Sequence, residues 1–338
     1  MEYYTGLDVS LKTTFISIIN KKGEVVKEME VESSVESISE YLLKQDLTYK
    51  KIGIESGQLS IHLSKELRKK GLAVECVDSR HMASALSARI NKNDRNDARG
   101  IAQMLRAGLY KSVQVKSDES CQIKILLGSR RQLVNVRQKL YGTVRGLLKI
   151  YGKKVKERIG VSFVVSVRDY LTTIDDNAST AIGATLNSIE EIENSIKEVN
   201  MKLKESVKRD EDCQRLMSIP GVGEITAMIY KATLDDPTRF TDSGTVGAYI
   251  GLTPKQYASG EVDRHGRISK MGPKDCRSVL YEAAQSLLVI NKKNCKIKSW
   301  GLKLAKKRGK KKAIVAVARK LAVIMHRMLI DKTEFRYQ

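Results

Sequence analysis

The order of residue patterns at the N-terminus constrains the fold more than any other feature of the chain. Three β-type runs come first, Tyr4–Ser10, Thr14–Asn20 and Glu24–Val31, with Lys22-Gly23 as the turn before the third. Helical spacing begins only then, over Val35–Leu47, and is followed by a strand-like Lys51–Glu55. A helical Leu59–Lys70 closed by Gly71, a strand-like Ala73–Val77 and a helical Asn93–Ala107 closed by Gly108 complete the region. Three strands in a meander followed by α/β units predict a mixed α/β domain over residues 1–112.

That succession is the layout of a ribonuclease-H-like domain; a generic α/β domain is the plain alternative. Beyond it the punctuation changes. The four prolines, Pro220, Pro237, Pro254 and Pro273, all follow residue 219, so nothing interrupts regular structure earlier and the last third is loop-rich. Residues 113–210 read as elongated helices, and Ile189, Ile192, Ile196, Val199 and Leu203 step by 3, 4, 3 and 4 residues. Such a seam serves either a two-chain coiled coil or a helix packed within one chain. Residues 211–330 form a third region, helical at both ends. The expected class is thus α/β plus all-α, with a helical coiled-coil linker between the N-terminal domain and a mainly helical C-terminal domain.

Charge narrows the partners. The chain has 338 residues with 61 Lys+Arg against 39 Asp+Glu, a formal +22, and 41% hydrophobic residues exclude a disordered polycation. An excess of that size on a folded chain points to a polyanion, nucleic acid before membrane. It is concentrated: residues 120–156 hold ten basic residues and no acid, including Arg130, Arg131 and Arg137, and residues 292–327 hold fourteen and no acid, including Lys306, Lys307, Arg308, Lys310, Lys311 and Lys312. No apolar run of about 18 residues and no signal-type start is present, so neither a membrane span nor secretion is expected. Five scattered cysteines and four scattered histidines argue against a disulfide frame or a zinc site and suit a reducing, cytoplasmic compartment.

Four acids carry candidate chemistry. Asp8 lies in the first strand and Glu55 ends the fourth, while Asp94 and Asp97 are three residues apart and share a helix face. In a ribonuclease-H-like layout the first and fourth strands are neighbours and a late helix packs over their ends, so the four would converge. Such a set is unfavourable unless cations neutralise it, and magnesium, a hard ion preferring oxygen, meets that need, with manganese as a substitute. A surface acid or a helix cap is the competing reading, the latter for Asp94 above all.

Two further motifs lie in the last third. Ile219-Pro220-Gly221-Val222-Gly223 between apolar helices reads as a helix-hairpin-helix-like element, whose Gly221 and Gly223 would let backbone N–H groups approach a phosphate; an ordinary αα-hairpin is the alternative. In Tyr257-Ala258-Ser259-Gly260 a serine lies in a polar loop, followed by Arg264, His265, Arg267 and Lys270. A serine hydroxyl attacks only with help from a base or cation, and Arg matches phosphate bidentately.

In their order and spacing these motifs resemble the DEDD transposases of bacterial insertion sequences, the "IS one-ten" and "IS eleven-eleven" groups related to Piv-type DNA invertases. Gly6–Ser10, Ile54–Gly57 and Asn93–Arg99 look like the acidic tetrad, and Ile219–Gly223, Gly251–Pro254, Ser259-Gly260 and Gly266–Gly272 look like the C-terminal transposase domain. The resemblance implies a RuvC-like domain, a helical linker and a transposase domain over nearly the whole chain. Asp8, Glu55, Asp94 and Asp97 would bind magnesium, and Ser259 would form a covalent phosphoserine with DNA. It also implies a homo-oligomer, dimer or tetramer, acting on double-stranded donor and target DNA with a structured non-coding bridge RNA as guide, in the bacterial cytoplasm at the nucleoid. A RuvC-like Holliday-junction resolvase or nuclease and a non-catalytic nucleic-acid architectural protein are the competing functions.

Overall fold

β-Branched and aromatic residues dominate the first two runs and valines recur in the third, and these form β1 (Tyr3–Val9), β2 (Thr13–Asn20) and β3 (Val25–Glu32) in the computed structural model, which describes residues 1–86 and 93–337. They pair as an antiparallel meander, Gly6 opposite Ser17 and Ser17 opposite Glu28. The chain continues through α1 (Val35–Leu43), β4 (Tyr49–Glu55), α2 (Ser60–Lys69) and β5 (Val74–Val77), with β4 parallel to β1 and β5 parallel to β4. The sheet order is therefore β3-β2-β1-β4-β5, and β1 and β4 are neighbours as the expected layout requires. Two more helices, α3 (Ser79–Leu86) and α4 (Asp94–Ala107), fall in the same unit, Met1–Lys116.

Alternation along each strand sends side chains to two faces. Leu7, Ile16, Ile18, Ile52 and Ile54 face Ile38 and Leu42 of α1 and Leu63 and Leu67 of α2. Tyr4 and Ile19 face Ile101, Ala102 and Leu105 of α4. Each fully buried Leu or Ile stabilises this three-layer core by roughly 1.5–3 kcal/mol.

The second unit runs from Ser117. Its first part is α5 (Asp118–Leu148), α6 (Val161–Leu171) and α7 (Asp176–Lys208), with Ser117 and Asp175 capping the two long helices through their side chains. The heptad seam packs inside this chain: Ile189 joins Tyr141, Val144 and Leu148 of α5, and Leu203 joins Ile123. No second chain is needed to cover it.

The remainder comprises α8 (Glu211–Met217), α9 (Glu224–Leu234), α10 (Thr245–Ile250), β6 (Pro254–Ser259), β7 (Val262–Ile268), α11 (Lys274–Gln285), α12 (Lys296–Arg308) and α13 (Lys310–Asp331). Leu216, Tyr230, Leu280, Leu287, Val317 and Leu321 form its buried centre. Among the described residues no helix is long and apolar enough to cross a membrane.

Candidate active site

Sheet register positions the first two acids. β1 and β4 are paired at Gly6 with Gly53 and Leu7 with Ile54, so Asp8 and Glu55 come next on neighbouring strands, roughly 5 Å apart at the backbone. Both are half-buried, and both belong by alternation to the face that carries Gly6 and Gly53, where α4 packs. Glycine is required there: a Cβ on Gly6 would stand 2.0 Å from the Ala98 carbonyl oxygen, and one on Gly53 2.7 Å from Ile101 Cγ2. At the other end of the sheet, Gly23 meets Gln103 and Arg106. The helix thus runs antiparallel to β1, its N-terminus toward the strand ends that carry Asp8 and Glu55.

Asp94 and Asp97 occupy the first turn of α4. The cap is Asn93, whose side chain accepts the Asn96 N–H at 2.8 Å, and not Asp94. Carboxylates in a first turn are favoured by the helix dipole. Arg95 and Arg99, on the flank of the same helix, both bind Glu28 of β3 (Arg99 Nη2 to Oε2 at 2.8 Å, Arg95 Nε to Oε2 at 2.6 Å). The Arg99 hydrogen bond, with Arg95 adding to it against the cost of burial, holds the Glu28 carboxyl below its ordinary range. These ion pairs fix the start of α4 over the sheet.

All four acids thus lie on one sheet face and toward one end of it, and an all-carboxylate donor set suits a hard divalent cation. Among the described residues, however, no three His, Cys, Asp or Glu side chains are gathered closely enough to hold a metal ion together.

Ser259 belongs to the second unit. The polar stretch around it is a β-hairpin and not a loop: β6 and β7 pair antiparallel, with Ser259 opposite Val262 across a Gly260-Glu261 turn. Gly260 has φ +55° at the first turn position, which a type II′ turn requires. Every residue of β6 is exposed, and among the described residues the Ser259 hydroxyl has no hydrogen-bond partner. Tyr257 is opposite Arg264, so alternation puts Arg264 on the hairpin face of Ser259. Arg267 and Lys270 are exposed further along, and the side chain of His265 lies outside the described residues.

The glycine motifs on either side clamp the base of this hairpin. Gly251 has φ +78°, and a Cβ there would stand 2.1 Å from the Met271 carbonyl oxygen; at Gly272, with φ +108°, it would stand 2.1 Å from that of Tyr249. The two backbones touch directly, joined by Lys270 N–H to Gly251 O at 3.1 Å and Ser269 N–H to Thr253 O at 2.7 Å. Arg277 of α11 ties the same junction, donating from Nη1 to the carbonyls of Ile250 (3.0 Å) and Gly272 (2.9 Å).

The remaining expected contacts divide by environment. Gly221 has φ +90° and is packed on α11, where a Cβ would stand 2.7 Å from the Ala283 carbonyl oxygen, whereas Gly223 caps α9 with open space around it. Arg130 donates to Asn200 at 2.7 Å, Arg131 pairs with Asp275, and Arg137 reaches Glu193 at 3.5 Å. By contrast Lys306, Lys307, Arg308, Lys310, Lys311 and Lys312, around the turn between α12 and α13, are all exposed. Sequence reasoning missed Glu28 and Arg277. Neither belongs to a motif, and only the excess of arginines opposite a lone acidic strand signals the first.

Comparison with known proteins places these features. Residues 5–152 match the DEDD transposase family model, and residues 213–297 match the model "Transposase IS116/IS110/IS902 family". The transposase for insertion sequence element IS1111A of Coxiella burnetii is 31% identical over 270 residues, covering 79% of this chain and 74% of that protein. A probable family 20 transposase of Pseudomonas aeruginosa is 25% identical over 291 residues, covering 84% and 85%. Among solved structures, T. thermophilus RuvC in complex with Holliday junction substrate matches 33% of this chain and 100% of that one, at 12% identity and a TM-score of 0.24. On the two family regions and the extent of the IS1111A likeness, the chain belongs to the IS116/IS110/IS902 family of insertion-sequence transposases.

Proposed function

We propose that this transposase is a site-specific DNA recombinase that cuts and exchanges double-stranded donor and target DNA through a covalent phosphoserine at Ser259. Asp8, Glu55, Asp94 and Asp97 would hold a divalent cation, magnesium, for that chemistry, their carboxylates drawing together around the ion when it binds, since apart from it they are not gathered into a cluster. The sheet register supports this most, with Asp8 beside Glu55 at the end toward which the acidic first turn of α4 runs.

A bound cation supplies Lewis acidity for the charge that gathers on the scissile phosphate. The chain's own groups do the rest. Ser259 Oγ attacks phosphorus, forming a serine–phosphate ester as the bond from phosphorus to the neighbouring sugar oxygen breaks. The serine proton passes to solvent base and the leaving oxygen takes one up. Arg264, on the same hairpin face, grips the phosphate through its guanidinium fork. Because the ester conserves the phosphodiester bond energy, rejoining to a new strand needs no external energy source.

Residues 1–112 act in this account as the acidic domain, 113–210 as a helical linker and 211–330 as the serine-bearing transposase domain. The exposed Lys306–Lys312 turn supports a polyanionic partner, and Gly223 at the open start of α9 supports a backbone contact to phosphate. A structured non-coding bridge RNA selects the sites, and the active form is a homo-oligomer.

The test is a denaturant-resistant protein–DNA adduct on element-end DNA with magnesium. The wild-type protein forms it and Ser259→Ala does not. A Ser259→Ala protein that still cuts DNA would instead establish a nuclease that uses water.

A further inference from the structure

The basic block of residues 292–327 carries a feature for which strand exchange gives no use. The only tryptophan of the chain, Trp300, stands in it on α12 and is 37% exposed. Behind α13 the chain turns back: the Phe335 N–H donates to Ser218 Oγ at 2.9 Å, and the Phe335 ring meets Tyr337 edge-on at 5.3 Å, which leaves Tyr337 43% exposed. Trp300 and Tyr337, with Asn294, Lys296, Ser299 and Lys303, line a cleft of about 470 Å³. Two more lysines stand over the rings, Lys320 Nζ 4.2 Å from the Trp300 centroid and Lys293 Nζ 5.6 Å from that of Tyr337. Among the described residues the cleft lining includes no carboxylate.

Two partly exposed aromatic rings in one cleft offer flat apolar faces for stacking, and the ammonium groups around them favour an anion. A single-stranded nucleic acid meets both needs, since an unpaired base stacks on a ring while its flanking phosphates pair with lysines. Asn294 supplies an amide for a base edge. A duplex satisfies only the lysines, because its bases are already stacked on one another. We propose, resting on the nucleic-acid reading above, that this cleft is a stacking site for an unpaired base of a single-stranded segment.

The sole tryptophan makes the test direct. The full-length protein is titrated with single-stranded RNA, single-stranded DNA and duplex DNA of one length, following Trp300 emission and, through labelled strands, affinity. Single strands quench the emission and the duplex does not. Trp300→Ala weakens single-strand binding about tenfold or more and leaves duplex binding within about twofold, while Trp300→Phe, which keeps a ring, retains most of the affinity. Quenching by RNA alone identifies the occupant as RNA; quenching by DNA alone identifies a displaced DNA strand. Single strands that bind without changing the emission, equal quenching by duplex, or unchanged affinity in Trp300→Ala would each overturn the site. The adduct assay on the same wild-type protein separates the two ideas: quenching without adduct sinks the recombinase reading alone, and adduct without quenching sinks the stacking site alone.

Discussion

Asp8 and Glu55 stand on strands whose neighbouring residues, Leu7 and Ile54, are fully buried, whereas Ser259 stands on a strand in which every residue is exposed. The acids are positioned by the core. Their register cannot slip without sending Leu7, Ile52 and Ile54 to the wrong face. The serine is positioned by a clamp at the foot of a two-stranded ribbon, a structure marginal by itself in water. The two halves of the proposed chemistry therefore have different tolerances. The acidic end is as stable as its domain, while the hairpin can open locally at much lower cost.

The largest expected effect comes at the core-held end. Asp8→Asn and Glu55→Gln lower DNA cleavage by at least about a hundredfold, a loss that even outer-shell partners of a metal reach, with DNA binding and melting temperature little changed. Cleavage assays beside binding and melting curves check this, and activity near wild type would show that the two acids have no part in the chemistry.

Next comes one substitution made in both regions. Gly6→Ala drives a methyl group into the Ala98 carbonyl and destabilises the N-terminal unit by about 3 kcal/mol or more. Gly251→Ala meets an equal clash at Met271, yet the strain falls on the hairpin foot, so adduct formation drops while global melting moves less. Equal losses of melting temperature in both variants would show that the hairpin is no more separable than the sheet.

Arg277→Met sharpens the same point more gently. It removes donors to two carbonyls, of the order of 1.5–3 kcal/mol locally, and slows adduct formation about tenfold with DNA affinity preserved. Slowing matched by an equal loss of affinity would place Arg277 in binding instead.

The smallest effect is acid sensitivity at the foot of α4. The Glu28 carboxyl is held low by Arg99 and Arg95, so its stabilisation is present at neutral pH and lost as pH falls through its folded value, below the ordinary Glu range near 4.3. Glu28→Gln should therefore lower the melting temperature by a few degrees at pH 7 and by less near pH 3. A loss that does not shrink in acid would remove the ion pairs from the account.

The strand order of the N-terminal unit was legible because burial on one face and α4 on the other wrote period-two patterns into β1, β2 and β4. Ends were less so: helical spacing suggested Val35–Leu47, but the helix stops at Leu43, with Asp46 at φ +50° beyond it. The β6–β7 hairpin was invisible. With β6 wholly exposed and, among the described residues of β7, only Ile268 half-buried, it has no apolar alternation, and Pro254 and Gly266 are poor strand residues. The first basic block shows a different limit, since a sequence counts charges but not their partners. Arg130, Arg131 and Arg137 are engaged within the chain, while the lysines of the α12–α13 turn are exposed.

The most direct measurement maps the residue that joins the DNA. Wild-type protein is trapped on element-end DNA with magnesium, digested, and the nucleotide-bearing peptide is sequenced by mass spectrometry. The account predicts a phosphodiester on Ser259, absent when Asp8→Asn protein is used. A nucleotide attached to one of the tyrosines, or cleaved DNA with no attached peptide, would contradict it.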